Sequence, residues 1–363
     1  MQKLLTTIFI LTIAASSVSG QSFKPRYNSS SQRSSSRTQT SNRSLELRVL
    51  VDGRSSVGTS QNWMQALAEV GADRVVAETS PVNRPSFEEY DNGSSKLLKV
   101  VGIVKQGKLH LPGGKFSIRQ IADIRAHLKK LRDDGAEVTI ADKVAFGLTA
   151  KQLISVHDQL GKKVDFTTKG MNAGKLATNL IRKSGYRTSI DPTTKLIISA
   201  AESKMEYELE GFSAGTALAL ALRRIGLAFE PTRPQGQKVQ LLVREVDDKT
   251  KNWPVGWPIS ESRKKVAPNL FVKVAVEAVD TPILDLLGAI EQRVDIPFVY
   301  DQAKILANDI DLAATKVKYS RPGKKSSYDV VIDKVLNQCR PKLKAELKID
   351  EVGKQFLWIT TRN

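Results

Sequence analysis

The side chains able to do chemistry are few and scattered through this chain of 363 residues. Its three histidines, His110, His127 and His157, have no metal-ligand partner at a usual spacing, so no metal site is expected. Cys339 is the single cysteine, which excludes an intramolecular disulfide, and it falls on the apolar face of an expected helix with no activating neighbour. It reads as a buried, inert thiol. There is no Gly-x-Ser-x-Gly elbow. Gly170-Met171-Asn172-Ala173-Gly174-Lys175-Leu176 falls short of a phosphate loop, with one residue too few between its glycines and leucine where Mg²⁺ binding needs Ser or Thr. Pro112-Gly113-Gly114-Lys115 reads as a tight turn, and the acidic pairs Asp133-Asp134 and Asp247-Asp248 fall where solvated helix ends and turns belong. No catalytic residue and no cofactor is expected, and an enzyme of unrecognised type ranks as the third reading.

Chemistry of recognition is better represented. Trp253-Pro254-Val255-Gly256-Trp257-Pro258, followed by Arg263, Lys264 and Lys265, lies in a stretch whose proline and glycine content forbids a regular helix. Two tryptophans in an exposed linker would form an unusual apolar patch. Either both pin the linker between its neighbours, the preferred reading, or they form a platform for a partner. On the second reading Trp253, Trp257, Arg263, Lys264 and Lys265 are the candidate partner contacts. The net charge of +18, with clusters at Lys162-Lys163, Arg223-Arg224, Arg263–Lys265 and Lys324-Lys325, favours anionic partners. Nucleic acid is disfavoured, because no strand carries the interleaved aromatic pair that stacks bases.

The elements that must position these residues begin with export signals. Lys3, the apolar run Leu4–Ala15 and the small residues Ser16–Gly20 have the three parts of a cleaved signal peptide, too short to span a bilayer. This predicts a secreted or periplasmic protein with no transmembrane span in the mature chain. Residues 21–44 are Ser-rich and basic without one acid, which predicts a disordered tail. An N-terminal α/β domain is expected over 45–147. Its strands are Leu45–Val51, Arg74–Glu78, Lys96–Lys105 and Lys108–Leu111, its helices Ser60–Val70 and one opened by a Ser117/Gln120 capping box, and 81–95 is loop.

Two smaller units follow, over 148–246 and 270–363, joined by the linker 247–269. In the first, a Thr149/Gln152 capping box opens a helix, and Asn172 and Ser213 cap two more. Strands are expected at Val164–Thr167, Arg187–Ile190, Leu196–Ser199, Met205–Leu209, Leu227–Glu230 and Val239–Val243. In the second, Phe271–Val279 reads as a strand, Thr281 caps a helix with Pro282 at its first position, and Pro297–Tyr300 and Val317–Tyr319 are strands. Ser326 or Ser327 caps a helix from Tyr328, and Ala345–Ile349 with Gln355–Thr360 forms a closing hairpin. The first apolar positions of the paired helices, Ala173 with Ile283 and Ala214 with Tyr328, are 110 and 114 residues apart, the mark of a duplication.

The βαβ plus βαββ pattern resembles the short N-terminal domain shared by secretins and TonB-dependent receptors. The residues carrying the resemblance are Asp280–Leu287 (DTPILDLL), Pro297–Asp301 (PFVYD), the helix Tyr328–Gln338 and the hairpin ending in Phe356-Leu357-Trp358-Ile359, about a quarter of the chain. The resemblance implies a small adaptor fold used in periplasmic contacts. In that family the domain precedes a pore or a receptor barrel, whereas Asn363 follows the second copy directly. The expectation is an α/β (α+β) protein, non-catalytic and exported, that docks on an envelope protein. Binding of an anionic envelope polymer or lipid headgroups through the basic surface is the alternative.

Overall fold

The computed structural model describes residues 43–51, 57–78, 84–91, 96–246 and 251–362. These residues belong to one compact unit, Thr40–Asn363, of α/β (α+β) class with several small sheets. The expected signal peptide and most of the expected tail lie outside the described residues, as does Asp247-Asp248. No described helix is long and apolar enough to cross a membrane.

The first strand of the N-terminal sheet starts two positions earlier than expected, at Arg43, where it is already paired with Lys96. In chain order its elements are β1 (Arg43–Val51), α1 (Val57–Leu67), β2 (Arg74–Glu78), β3 (Ser86–Asp91), β4 (Lys96–Lys105), β5 (Lys108–Leu111), β6 (Gly114–Ser117), α2 (Ile121–Asp134) and α3 (Ala136–Ile140). β1 runs parallel to both β2 and β4, and β4, β5 and β6 follow as an antiparallel meander. Strand β3 was expected as loop; its side chains are all exposed and carry no alternation, and its regularity comes from antiparallel pairing with β4. The Ser117/Gln120 box forms only in part. The Gln120 side chain accepts from Ser117 N at 2.9 Å, but Ser117 belongs to β6 and Gln120 itself occupies the N-cap position.

The first of the two smaller units comprises α4 (Ala150–Leu160), α5 (Ala173–Ser184), β7 (Arg187–Ile190), α6 (Pro192–Ala200), α7 (Ala214–Arg224), β8 (Leu227–Thr232) and β9 (Gln240–Glu245). Thr149, Asn172 and Ser213 cap α4, α5 and α7 as their side-chain chemistry predicts, each accepting from a backbone N–H three residues on. Three expected strands are absent. Leu196–Ser199 is helical because Asp191 accepts from Thr194 N and Pro192 takes the first helical position, a start signal that outweighs the β-branched content. Helix α6 then lies so close to α5 that a Cβ on Gly174 would sit 2.1 Å from Ile198 O, which explains that glycine by packing. Val164–Thr167 and Met205–Leu209 run side by side as loops, because the Glu208 carboxylate takes the Thr168 N–H and hydroxyl, both at 2.8 Å.

The second unit is built of β10 (Trp257–Pro258), α8 (Arg263–Val266), β11 (Lys273–Val274), β12 (Glu277–Pro282), α9 (Ile283–Val294), β13 (Phe298–Tyr300), α10 (Gln302–Ala307), β14 (Lys316–Ser320), β15 (Ser326–Ser327), α11 (Tyr328–Leu336), β16 (Leu343–Ile349) and β17 (Gln355–Thr361). The strand expected over Phe271–Val279 is divided: a 3₁₀ turn takes Pro268–Phe271, β11 ends at Val274, and β12 resumes at Glu277 with a bulge after Ala278, where Asp280 adopts a φ of 54°. The Thr281, Ser326 and Ser327 side chains expected as caps accept no N–H from their helices: Pro282 and Ser327 occupy the N-cap positions, without side-chain hydrogen bonds.

Both units trace one path. In the first, β7 is parallel to β9, and β9 is antiparallel to β8; in the second, β13 is parallel to β17, and β17 is antiparallel to β16. Landmarks recur 110 residues apart: positive φ at Gly170 and Asp280, left-handed helix ends at Gly185 and Asp295, and helix-capping aspartates Asp191 and Asp301. The bridge of Lys163 to the α7 cap Ser213 recurs as Lys273 to the α11 cap Ser327.

The two sheets share one helix. Every residue of α7 from Ala214 to Leu222 is buried, and its core includes Phe229, Leu241 and Val243 of its own sheet together with Val299, Phe356 and Trp358 of the other. Leu357 and Ile359, which alternate with those on β17, face the second core around α9 and α11. Helix α7 is thus the filling between two sheets, which its Ala- and Gly-rich sequence permits by close approach. Leu220, on the side of α7 turned toward the second unit, lines a small gap together with Tyr300 and Trp358. Leu220→Ala is expected to lower stability by about 2–5 kcal/mol in urea unfolding, and to unfold the two units in two transitions where the wild type is expected to show one.

Candidate functional site

The seam between the two units gathers several buried polar groups, among them Ser213, Thr216, Asp301, Asp350 and Thr360. At the C-terminal end of α7, Arg223 makes a two-pronged ion pair with Asp301, at 2.8 Å from Nε and 2.9 Å from Nη2. The Asp301 side chain is 1% exposed and also accepts from the Thr360 hydroxyl at 2.8 Å. Planar guanidinium against planar carboxylate fixes orientation as well as distance. Its guanidinium stands 6.0 Å from the Trp358 ring centre.

At the N-terminal end of α7 the turn between β16 and β17 inserts two acids. Asp350 accepts the Ser213 N–H at 2.8 Å. Glu351 accepts from the Ser213 hydroxyl, from Thr216 Oγ1 at 2.8 Å and from Trp253 Nε1 at 2.6 Å. A carboxylate at the positive end of a helix dipole, met by free N–H groups, is a favourable arrangement, and the cation pair Arg223-Arg224 at the other end completes it. Gly215 makes room: a Cβ there would lie 2.4 Å from Glu351 Oε1.

The tryptophans, read from the sequence as linker anchors first and as partner contacts second, enter this seam. Trp253 is 3% exposed, stacks between Phe146 and Phe229 at 5.7 and 5.9 Å, and meets Trp257 edge-on at 5.3 Å. Trp257, half-buried in β10, pairs with Ile349, and the His157 ring packs on both indoles at 5.0 and 4.7 Å. Arg263, Lys264 and Lys265 are placed elsewhere, exposed on the single turn α8, with Arg263 paired to Asp329 and Lys265 to Glu261. Asp134, expected in solvent, is 8% exposed and ties the N-terminal sheet to the first unit through Arg233 at 3.1 Å and Gly236 N at 2.8 Å.

Beside α7 the seam opens as a groove of about 400 Å³. The buried rings of Phe229, Trp253 and Trp358 lie behind its wall; Arg223, Lys304, Lys344 and Lys348 supply positive charge, and Asp301 and Glu346 negative. Along β16, Lys344, Glu346 and Lys348 alternate onto the groove face, with Glu346 2.7 Å from Lys344 and 3.6 Å from Lys348. Burial pushes the Lys348 ammonium below the usual lysine range against the pull of Glu346, and the lysine also donates to Val255 O at 3.2 Å. This arrangement can hold and orient an anion. Among the described residues no cluster of three metal-ligating side chains is found.

The chain matches no protein-family model, no curated protein and no solved structure. Neither Asp301 nor Glu351 stands out in the sequence as a functional position: Asp301 ends the PFVYD run just before a helix, and Glu351 opens a tight turn. Removing either acid orphans buried donors. Asp301→Ala is expected to reduce unfolding free energy by about 3–5 kcal/mol, and Glu351→Ala by about 1–3 kcal/mol with a smaller loss for Glu351→Gln, as read from denaturant midpoints.

Proposed function

We propose that this chain is a non-catalytic, exported adaptor of the cell envelope that docks on a protein partner through its tandem units. The observation that carries the reading is the shared helix α7, which locks two units of one topology into a fixed relation and leaves a charged groove between them. A rigid tandem with a shaped cleft suits recognition of a protein surface, because little ordering entropy is left to be lost on docking. The resemblance of the second unit to the short N-terminal domain of secretins and TonB-dependent receptors supports the same class of role, and the leader supports export. The alternative, binding of an anionic envelope polymer or lipid headgroups, is favoured by the net charge of +18 and by the exposed cations of α8.

Affinity capture from envelope extract in low and in high salt separates the two. The adaptor reading expects one protein retained in stoichiometric amount at about 0.5 M salt and rebound after purification, since a docked interface is screened far less than exposed charge. Retention of anionic polymer alone, released by that salt, would contradict it.

A further inference from the structure

The ion pair of Arg223 with Asp301 has a neighbour on each side of the seam. Arg224 follows Arg223 at the end of α7, and Gln302 follows Asp301 at the start of α10. Both are buried, the Arg224 side chain at 12% exposure and Gln302 at 8%. Arg224 Nη2 donates to Glu206 at 2.9 Å, but its Nε–H and the Gln302 Oε1 have no hydrogen-bond partner among the described residues. A buried donor and a buried acceptor left so are each costly. Both residues line one small gap, lined also by Tyr207, Leu220, Tyr300 and Trp358, with a volume of about 10 Å³ for the centre of a water molecule. That is room for one water, since a polar cavity takes one at about 10–15 Å³ by the same measure.

We propose that this gap is a binding site for a single water molecule, which accepts from Arg224 Nε–H and donates to Gln302 Oε1. The chemistry selects water over an ion. A cation would take the Gln302 oxygen but be repelled by the Arg224 guanidinium, and a halide would accept from Arg224 but leave Oε1 unmet unless the amide turned its NH₂ inward. Only a molecule that both accepts and donates meets both groups. Helix α7 then joins the second unit through two adjacent contacts, direct from Arg223 to Asp301 and water-mediated from Arg224 to Gln302. This site belongs to the seam itself and stands independently of the adaptor reading.

Crystals of the intact chain, grown without and then soaked with sodium bromide, test the site at a resolution that shows ordered water. The expected result is one density peak that refines as water, about 2.7–3.2 Å from both Arg224 Nε and Gln302 Oε1, with no bromide anomalous signal. No peak in the gap, a direct bond between the two side chains, or a bromide signal there would overturn the proposal, the last by assigning a halide. In solution, Gln302→Met keeps the length and helix preference of the side chain but removes the acceptor. Losing one side of the bridge is expected to raise the unfolding equilibrium constant roughly fivefold or more, and to remove the peak from the variant's crystals. A gap without water predicts the opposite sign, because removing an unmet buried oxygen relieves a cost. A lowered or unchanged constant therefore also overturns the proposal, and if the variant fails to fold the wild-type crystals decide alone.

Discussion

A helix that is apolar on every side has to be covered on every side, and α7 meets that demand by lying between two sheets. Its sequence, AGTALALAL over Ala214–Leu222, has no polar face to give to water, and all of it is buried. One sheet is its own, β7-β9-β8; the other is the sheet β10-β16-β17-β13 of the following unit. The first unit alone would expose a stripe of this helix, and the second alone would expose Phe356, Trp358 and Val299. Each therefore completes the other, and the surface lost from water, at about 25 cal/mol per Å² of apolar area, is what holds the pair in register.

The polar contacts at the seam set where α7 lies along the second sheet. Charge acts at both ends: Glu351 and Asp350 meet the N-terminal N–H groups, and Asp301 meets Arg223 in the last turn. Buried ion pairs contribute little net free energy, since desolvation offsets attraction, but a broken one is strongly unfavourable. Such contacts penalise every misplaced arrangement more than they stabilise the right one. The consequence for function is a cleft of fixed shape. Lys344 and Lys348 stand on β16, a strand paired along its length to β17, and the aromatic rings behind them are part of the same core that grips α7. Recognition groups mounted on regular strands hold their spacing better than groups on loops.

Much of this was written in local sequence. The caps Thr149, Asn172 and Ser213, the glycine turn at Gln106-Gly107 and the apolar stripes of α5, α9 and α11 depend on neighbours within a few residues, and they folded as their chemistry dictates. Residues Leu196–Ser199 misled because three apolar positions in a row satisfy either period, and the deciding signal, Asp191-Pro192, lay just before them. Glu208 was illegible in another way, since a carboxylate that sews two loops together leaves no periodic trace. The seam was the least legible. Arg223 and Asp301 are 78 residues apart, and Ser213 and Glu351 are 138 apart, so nothing in either neighbourhood announces the pairing. Trp253 could be read as an anchor or as an exposed platform, and only the cavity formed by Phe146, Phe229 and the helix end distinguishes the two.

The claim on which the rest depends is that α7 and the second sheet form one cooperative core. Native-state hydrogen exchange on the intact chain measures this directly, because it gives an opening free energy amide by amide. The account predicts that the amides of α7 and those of β16 and β17 open together, at the highest free energy found in residues 148–362 and with the same dependence on denaturant. Exchange of the β16–β17 amides through a separate opening of lower free energy, with α7 still protected, would contradict it.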